Sequence, residues 1–323
     1  MNNPHILGTE RIGKLLVQYS IPAIISMTIV SLYNIIDSIF IGHGVGPMAI
    51  AGLAITFPLM NLTAAFCNLV SAGGSTISSI RLGQKDMEGV NKVLGNTLML
   101  CLVNAVVFGG LTFIFLDDIL RFFGASGETL PYARDFMQVI LLGTPITFTM
   151  IGLNHIMRAT GHPKKAMLTS LTTVVCNIIL APLFIFQFGW GIRGAALATV
   201  ISQFIGTLWV LNHFLQRSNP IRLRRGFHRL ERRIVGSIFS IGMSPFLMNV
   251  TACISLNDTI IHGIPSHDIV IRPGDIVSID TGAKIDGFNG DNACTYAVGK
   301  VDLEAQRLLD VTKAALYKGI EPA

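Results

Sequence analysis

Seven runs of apolar residues, each about as long as a bilayer is thick, constrain this chain more than any other feature of it. A helix needs roughly 20 apolar residues to cross a hydrocarbon core, and the runs cover 15–40, 51–80, 93–116, 136–157, 166–188, 194–215 and 234–254. Only 13% of the 323 residues are charged, against about 25% in soluble domains, and mean hydropathy is +0.59. The expectation is an all-α polytopic membrane bundle of six to seven transmembrane helices, with the lipid bilayer as its first partner. Pro22, Pro58, Pro182 and the Gly73-Gly74 pair lie inside these runs. They would break soluble helices, but membrane helices tolerate them.

Charge assigns an orientation. Cytoplasmic loops collect Lys and Arg. Arg81, Lys85 and Lys92 follow the second run, Arg158, Lys164 and Lys165 the fourth, and seven arginines between 217 and 233 the sixth. The alternate loops hold Arg121, Arg134 and Arg193 at most. The N-terminus, with Arg11 and Lys14, is therefore expected on the cytoplasmic side of a plasma or inner membrane. The first run is too long for a cleavable signal peptide.

The basic stretch "RLRRGFHRLERR" admits an anionic-lipid or nucleic-acid reading. It is read here as a cytoplasmic linker, and no nucleic-acid partner is expected. Cys67, Cys101, Cys176, Cys253 and Cys294 form no C-x-x-C pair, so neither a zinc site nor a disulfide framework is suggested.

Composition changes near residue 248. Residues 1–247 hold 18 Lys and Arg against 9 Asp and Glu, whereas residues 248–323 hold 6 against 10. In the tail, β-branched runs broken by Pro273-Gly274 and Asp286-Gly287 read as strands and hairpins. "DLEAQRLLDVTKAALYKGI" has helical spacing and reads as an amphipathic helix. Asp280 and Asp291 lie eleven residues apart across the 286–287 turn, a spacing that can bring two carboxylates to one sheet face. Oxygen ligands of that kind suit Mn, Fe, Co or Zn, although two aspartates on a hairpin are more often solvated.

Within the seven runs one residue is acidic, Asp37 in "SLYNIIDSIFIGHG". A carboxylate in lipid is costly and usually faces a cavity, a partner or an ion path. The plainer alternative ends the first span earlier and leaves Asp37 at the interface. Asn34 shares its face one turn earlier. Asn61, Asn68, Asn104, Asn154, Asn177, Thr199 and Gln203 are each read first as helix–helix contacts. His155 and His213 are read as interfacial.

The stretches "SIPAIISMTIVSLYNIIDSIFIGHGVGPMAIAGLAITFPL", "GLNHIMRATGHPKKAM", "NIILAPLFIF" and "GIRGAALATVISQ" resemble the N-terminal lobe of the multidrug and toxic compound extrusion (MATE) transporters, over roughly residues 8–250. The resemblance implies a two-lobed exporter of organic, often cationic, drug-like compounds, driven by H⁺ or Na⁺ and needing no other cofactor. It implies a cation site of an aspartate on the first helix, an Asn-x-x-x-Asp pair on the fifth and a threonine on the sixth. By position these are Asp37, Asn177 and Thr199, with Ala181 where the second acid is expected. One carboxylate fewer favours H⁺ over Na⁺. The second lobe is not in the sequence, so a dimer or a separate second half is expected for transport.

A second resemblance covers about residues 252–321. "ISLNDTIIHGIPS", "PGDIVSIDTGAKIDGFNGD" and "YAVGKV" resemble the type I methionine aminopeptidases, whose pita-bread α/β fold would be present only as a truncated fragment. That resemblance implies Asp280 and Asp291 as ligands of a dinuclear centre (Co, Mn, Fe or Zn) and His262 as a substrate contact. The family's later His and two Glu ligands lie beyond Ala323, so peptidase activity is not expected. The two resemblances divide the chain into 1–250 and 252–323, and the join around Thr251–Ser255 reads as a splice or an artefactual chimera.

Overall fold

The structure, a computed structural model, describes residues 12–216, 219–224, 226, 229–250, 253–256, 270–285 and 288–320. The chain divides into two compact units, residues 1–246 and 247–323. Nine helices come first among the described residues: α1 (Ile12–Gly44), α2 (Pro47–Gly83), α3 (Met87–Ile114), α4 (Leu116–Phe122), α5 (Leu130–Leu142), α6 (Thr144–Ala159), α7 (Pro163–Pro182), α8 (Gly191–Leu215) and α9 (Arg232–Val250). A π-helical turn, Leu183–Gln187, extends α7. Among the described residues α2, α3, α7 with its extension and α8 are long and apolar enough to cross a membrane, and the α5–α6 pair makes a fifth span. The first and seventh apolar runs are occupied by α1 and α9.

Two of the expected runs are built differently. The fourth, 136–157, is not one helix: α5 and α6 meet at Gly143 with a bend of 56°. Pro145 sits in the first turn of α6 and has no N–H to donate to α5. The Thr144 hydroxyl caps the Leu141 carbonyl at 2.7 Å instead. Gly143 lies against α8, where a Cβ would meet Val200 Cγ2 at 2.5 Å. The seventh run, 234–254, stops being helical at Val250, and Cys253 and Ile254 belong to a strand.

Gly73 and Gly74 do not interrupt α2; they let neighbouring helices touch it. A Cβ on Gly73 would overlap the Ile238 carbonyl oxygen of α9, and one on Gly242 would overlap the Leu69 carbonyl of α2. The two helices thus meet backbone to backbone through one glycine from each, the small-residue contact that substitutes for hydrophobic driving force in lipid. Around it lies a buried cluster of Val70, Ile77, Val93, Phe148, Ile234 and Ile238. A second cluster at the α7 C-terminal end joins Ile41, Leu59, Leu120, Met137, Phe184 and Ile185. A third, at the opposite end, joins Val90, Leu94, Ile156, Met157, Phe214 and Ile221.

Described residues of the basic linker after α8 are tied to α3. Asn91 on α3 donates its amide to the Pro220 carbonyl (3.4 Å) and accepts from the Arg222 N–H at 2.7 Å. One and a half turns on, Asn96 donates to the Arg229 carbonyl (3.2 Å) and accepts from the Glu231 N–H at 2.8 Å. Each asparagine mimics a peptide unit, and between them Ile221 is drawn into the third cluster at 1% exposure. At the same end Asp86 caps α3, accepting from the Gly89 N–H at 2.8 Å and from Arg81 at 2.7 Å. Those bonds hold the Asp86 carboxyl below the usual carboxylate range, the Gly89 amide being the larger cause. The cap is therefore complete above about pH 4 and weakens as pH falls through the lowered value.

The second unit contains β1 (Cys253–Leu256), β2 (Ile276–Ile285) and β3 (Phe288–Ala297) in one antiparallel sheet, order β1-β2-β3. It ends in α10 (Leu303–Ile320), capped by Asp302, which accepts from the Ala305 N–H at 2.6 Å. The strand pair and the helix stand where alternation and helical spacing put them.

Two substitutions test this packing. Gly242→Leu should separate α9 from α2 and destabilise the detergent-solubilised chain by about 1–3 kcal/mol or more. Asn96→Leu should cost about 1–3 kcal/mol by orphaning the Arg229 carbonyl and the Glu231 N–H. Thermal unfolding followed by circular dichroism reads both, and an unchanged midpoint would contradict the contact concerned.

Candidate functional site

Asp37 is held inside the first unit by the way α1 meets α7. Near their C-terminal ends Gly44 packs against Ile185 and Phe186, and the Phe40 ring stands edge-on to Phe186 at 6.4 Å. Ile41, one turn along α1 from Asp37, is fully buried in the cluster that contains Ala181 and Ile185. The same face therefore carries Asp37 inward, and it is 8% exposed. Its Oδ1 has no hydrogen-bond partner among the described residues.

On the neighbouring hairpin the polar residues form a ladder. The Asn177 amide donates to Thr199 Oγ1 at 3.0 Å, joining α7 to α8. Thr199 donates in turn to the Ala195 carbonyl at 3.2 Å. Thr173 donates to Thr169 O at 2.8 Å and Ser202 to Ala198 O at 2.7 Å. On α6, Thr147 donates to the side-chain carbonyl of Gln203. A small cavity of about 40 Å³ opens between α7 and α8, lined by Thr173, Val174, Asn177, Thr199, Ser202 and Gln203. Its size suits a water molecule or a small cation rather than an organic ligand.

The structure thus brings Asn177 and Thr199 into direct contact, and α1, which carries Asp37, packs on the α7 end through Gly44 and Phe40. Ala181, where the resemblance leads one to expect a second acid, is fully buried within an apolar cluster. Thr173, Ser202 and Thr147 were not singled out in the sequence. The signal was there: Thr173 and Asn177 are four apart, and Thr199, Ser202 and Gln203 follow at three and four, one polar stripe on each helix. Asn104 and Asn154 act as inter-helix contacts, donating to Phe66 O at 2.7 Å and Ala166 O at 3.0 Å. His213, read as interfacial, is 6% exposed, with its ring 4.8 Å from that of His162. Cys67 and Cys101 are buried and free.

In the second unit the strand register pairs Asp280 with Ala293 and Gly282 with Asp291. Positions 280 and 291 are therefore diagonal neighbours on one face of the sheet. His262 lies outside the described residues. Among the described residues no group of three His, Cys, Asp or Glu gathers that could hold a metal ion. Two carboxylates alone do not fit a dinuclear centre, which needs ligands on both ions.

Comparison with known proteins divides along the chain. The sequence model of the MatE family matches residues 22–183, and that of metallopeptidase family M24 matches residues 228–323. The multidrug export protein MepA of Staphylococcus haemolyticus is 32% identical over 239 residues, covering 74% of this chain and 53% of that protein. MepA of Staphylococcus aureus is 29% identical over 237 residues, 73% of this chain and 52% of its own. A MATE crystal structure in the bent conformation superposes with a TM-score of 0.69 at 30% identity, over 74% of this chain and 53% of the other. The chain spans about half the length of the curated relatives it matches. The M24 match identifies the C-terminal residues as like that family, without singling out the methionine aminopeptidases within it.

Thr199→Val should remove the acceptor that Asn177 uses while keeping the side-chain volume. We expect a loss of about 1–3 kcal/mol in thermal stability in detergent, with Thr199→Ser close to the parent. Equal melting of Val and Ser variants would contradict the α7–α8 bond.

Proposed function

The chain belongs to the MatE family of membrane transporters, and on that premise we propose that its first unit is the cation-coupling lobe of a multidrug exporter. The observation that carries the reading is Asp37, buried with one carboxylate oxygen unpartnered among the described residues. A carboxylate so placed needs positive charge brought to it, because an isolated buried ion is far more costly than a paired or neutralised one. Either a proton on the carboxyl or a metal cation beside it meets that need. We favour the proton: a compact Na⁺ site would want a second charged oxygen, and position 181 offers a methyl group.

Proton entry from one side and release to the other would then be tied to the passage of an organic cation. Neutralising Asp37 removes the charge that attracts the drug or holds the lobe open, and losing the proton restores it. From the basic loops we propose that the α2–α3, α6–α7 and α8–α9 connections, and the N-terminus, face the cytoplasmic side of the cell membrane. Rocking of one lobe against another requires two lobes. We therefore propose that transport involves a second copy of this lobe or a separate second half.

For the M24-like unit we propose no peptidase chemistry. Positions 280 and 291 share one sheet face by register, and among the described residues no group of three metal-ligating side chains gathers.

Proteoliposomes carrying the full chain test the coupling. A fluorescent organic cation should be moved by an imposed pH gradient, with little response to an imposed Na⁺ gradient, and Asp37→Asn should reduce that movement to the background of empty vesicles. Transport driven by Na⁺ alone would overturn the proton reading. Absence of any transport by the parent chain, with the protein folded, would overturn activity of this chain by itself.

A further inference from the structure

At the basic end of the first unit, away from Asp37, the start of α7 and the end of α8 frame a cavity of about 630 Å³. Its upper wall is polar: the Lys165 ammonium, the Asn212 and Gln216 amides. Its lower wall is apolar and open to the surroundings of the bundle, with Leu168 at 42%, Leu208 at 51% and Trp209 at 45% exposure. Lys165 is an exposed cation with an imidazole close by. Its Nζ lies 3.4 Å from Nδ1 of His213, an imidazole only 6% exposed. His213 is steadied from the other side by Asn219, whose amide lies 3.1 Å from Nε2 and 3.2 Å from the His213 carbonyl. Among the described residues no carboxylate pairs with Lys165.

These features specify an occupant. An ammonium beside a buried imidazole, with no carboxylate partner among the described residues, attracts an anion, and two amides beside it supply further N–H donors. An apolar floor running from that anion site toward the middle of the bundle calls for a chain of methylene groups. A tryptophan between the two walls is the side chain that favours the headgroup level of a bilayer. Lys164, Arg158 and Arg222 at the same end raise the local potential toward anions.

We propose that this cavity binds the phosphate headgroup of an anionic phospholipid, with Lys165, Asn212 and Gln216 on the phosphate and an acyl chain along Leu168 and Leu208. The proposal rests on the chain being a membrane protein and is independent of whether it transports.

The test uses the full chain in mild detergent, delipidated, with dioleoyl-phosphatidylglycerol, dioleoyl-phosphatidylcholine, glycerol phosphate or inorganic phosphate added. Native mass spectrometry counts bound lipid, and thermal unfolding reads stabilisation. We expect phosphatidylglycerol to bind and raise the midpoint, phosphatidylcholine to do so less, and the two soluble phosphates to do neither. Lys165→Gln should weaken phosphatidylglycerol binding about fivefold, the worth of one cationic side chain near an anionic lipid, and Lys165→Arg should retain it. Leu208→Gln should weaken lipid binding with Lys165 intact. If Lys165→Gln does not fold, Asn212→Leu reads the same headgroup contact. Equal binding of the two lipids, or full stabilisation by glycerol phosphate, would overturn the proposal. So would unchanged phosphatidylglycerol binding in Lys165→Gln, or a cavity covered by a second copy of the chain with no lipid retained.

Discussion

Everything in the first unit follows from the cost of leaving a polar group without a partner where water is scarce. Backbone amides meet that cost by making helices, which is why apolar runs of this length become α2, α3, α7 and α8 rather than strands. Hydroxyls meet it by turning back on their own helix: Ser71 to Cys67 O, Ser78 to Gly74 O, Thr207 to Gln203 O. Side-chain amides, with more than one donor and an acceptor, can also reach across to the next helix. Asn104, Asn154 and Asn177 each join two helices this way. A handful of polar side chains thereby sets which helices are neighbours and at what height.

Asp37 breaks that rule, and the break is informative. The threonines and serine around the α7–α8 cavity, by contrast, have committed their hydrogens to backbone carbonyls. A buried carboxylate without a partner is stable only when something positive is supplied. The small volume of the α7–α8 cavity keeps organic ligands out of it.

The linker from α8 to α9 shows the same economy at the water-facing end. Asn91 and Asn96 lend their side-chain amides to main chain more than a hundred residues away and turn a basic loop into a fixed floor under the bundle. In sequence they are unremarkable polar residues at the start of an apolar run. Sequence periodicity carried the helices, the strand pair of the tail and its final helix, because alternation and helical spacing are local signals. It carried Asp37, because one acid among seven apolar runs stands out. It did not carry the kink at Gly143, where a proline and a close α8 act together, nor the shortened α9, which gives way to a strand paired with Asp280 and its neighbours.

The residues by themselves determined that this chain lives in a membrane, that its last quarter is of another character, and that one carboxylate is lodged among apolar spans. These are matters of composition and period, written one residue at a time. Tertiary structure decided that Gly73 and Gly242 are contact points between helices, that Asn177 meets Thr199, and that Lys165 stands over an apolar groove on a buried histidine. Each of those is a distance between residues far apart in the chain. Such a distance is fixed only when every helix has found the height and rotation that leave the fewest polar groups unpaired.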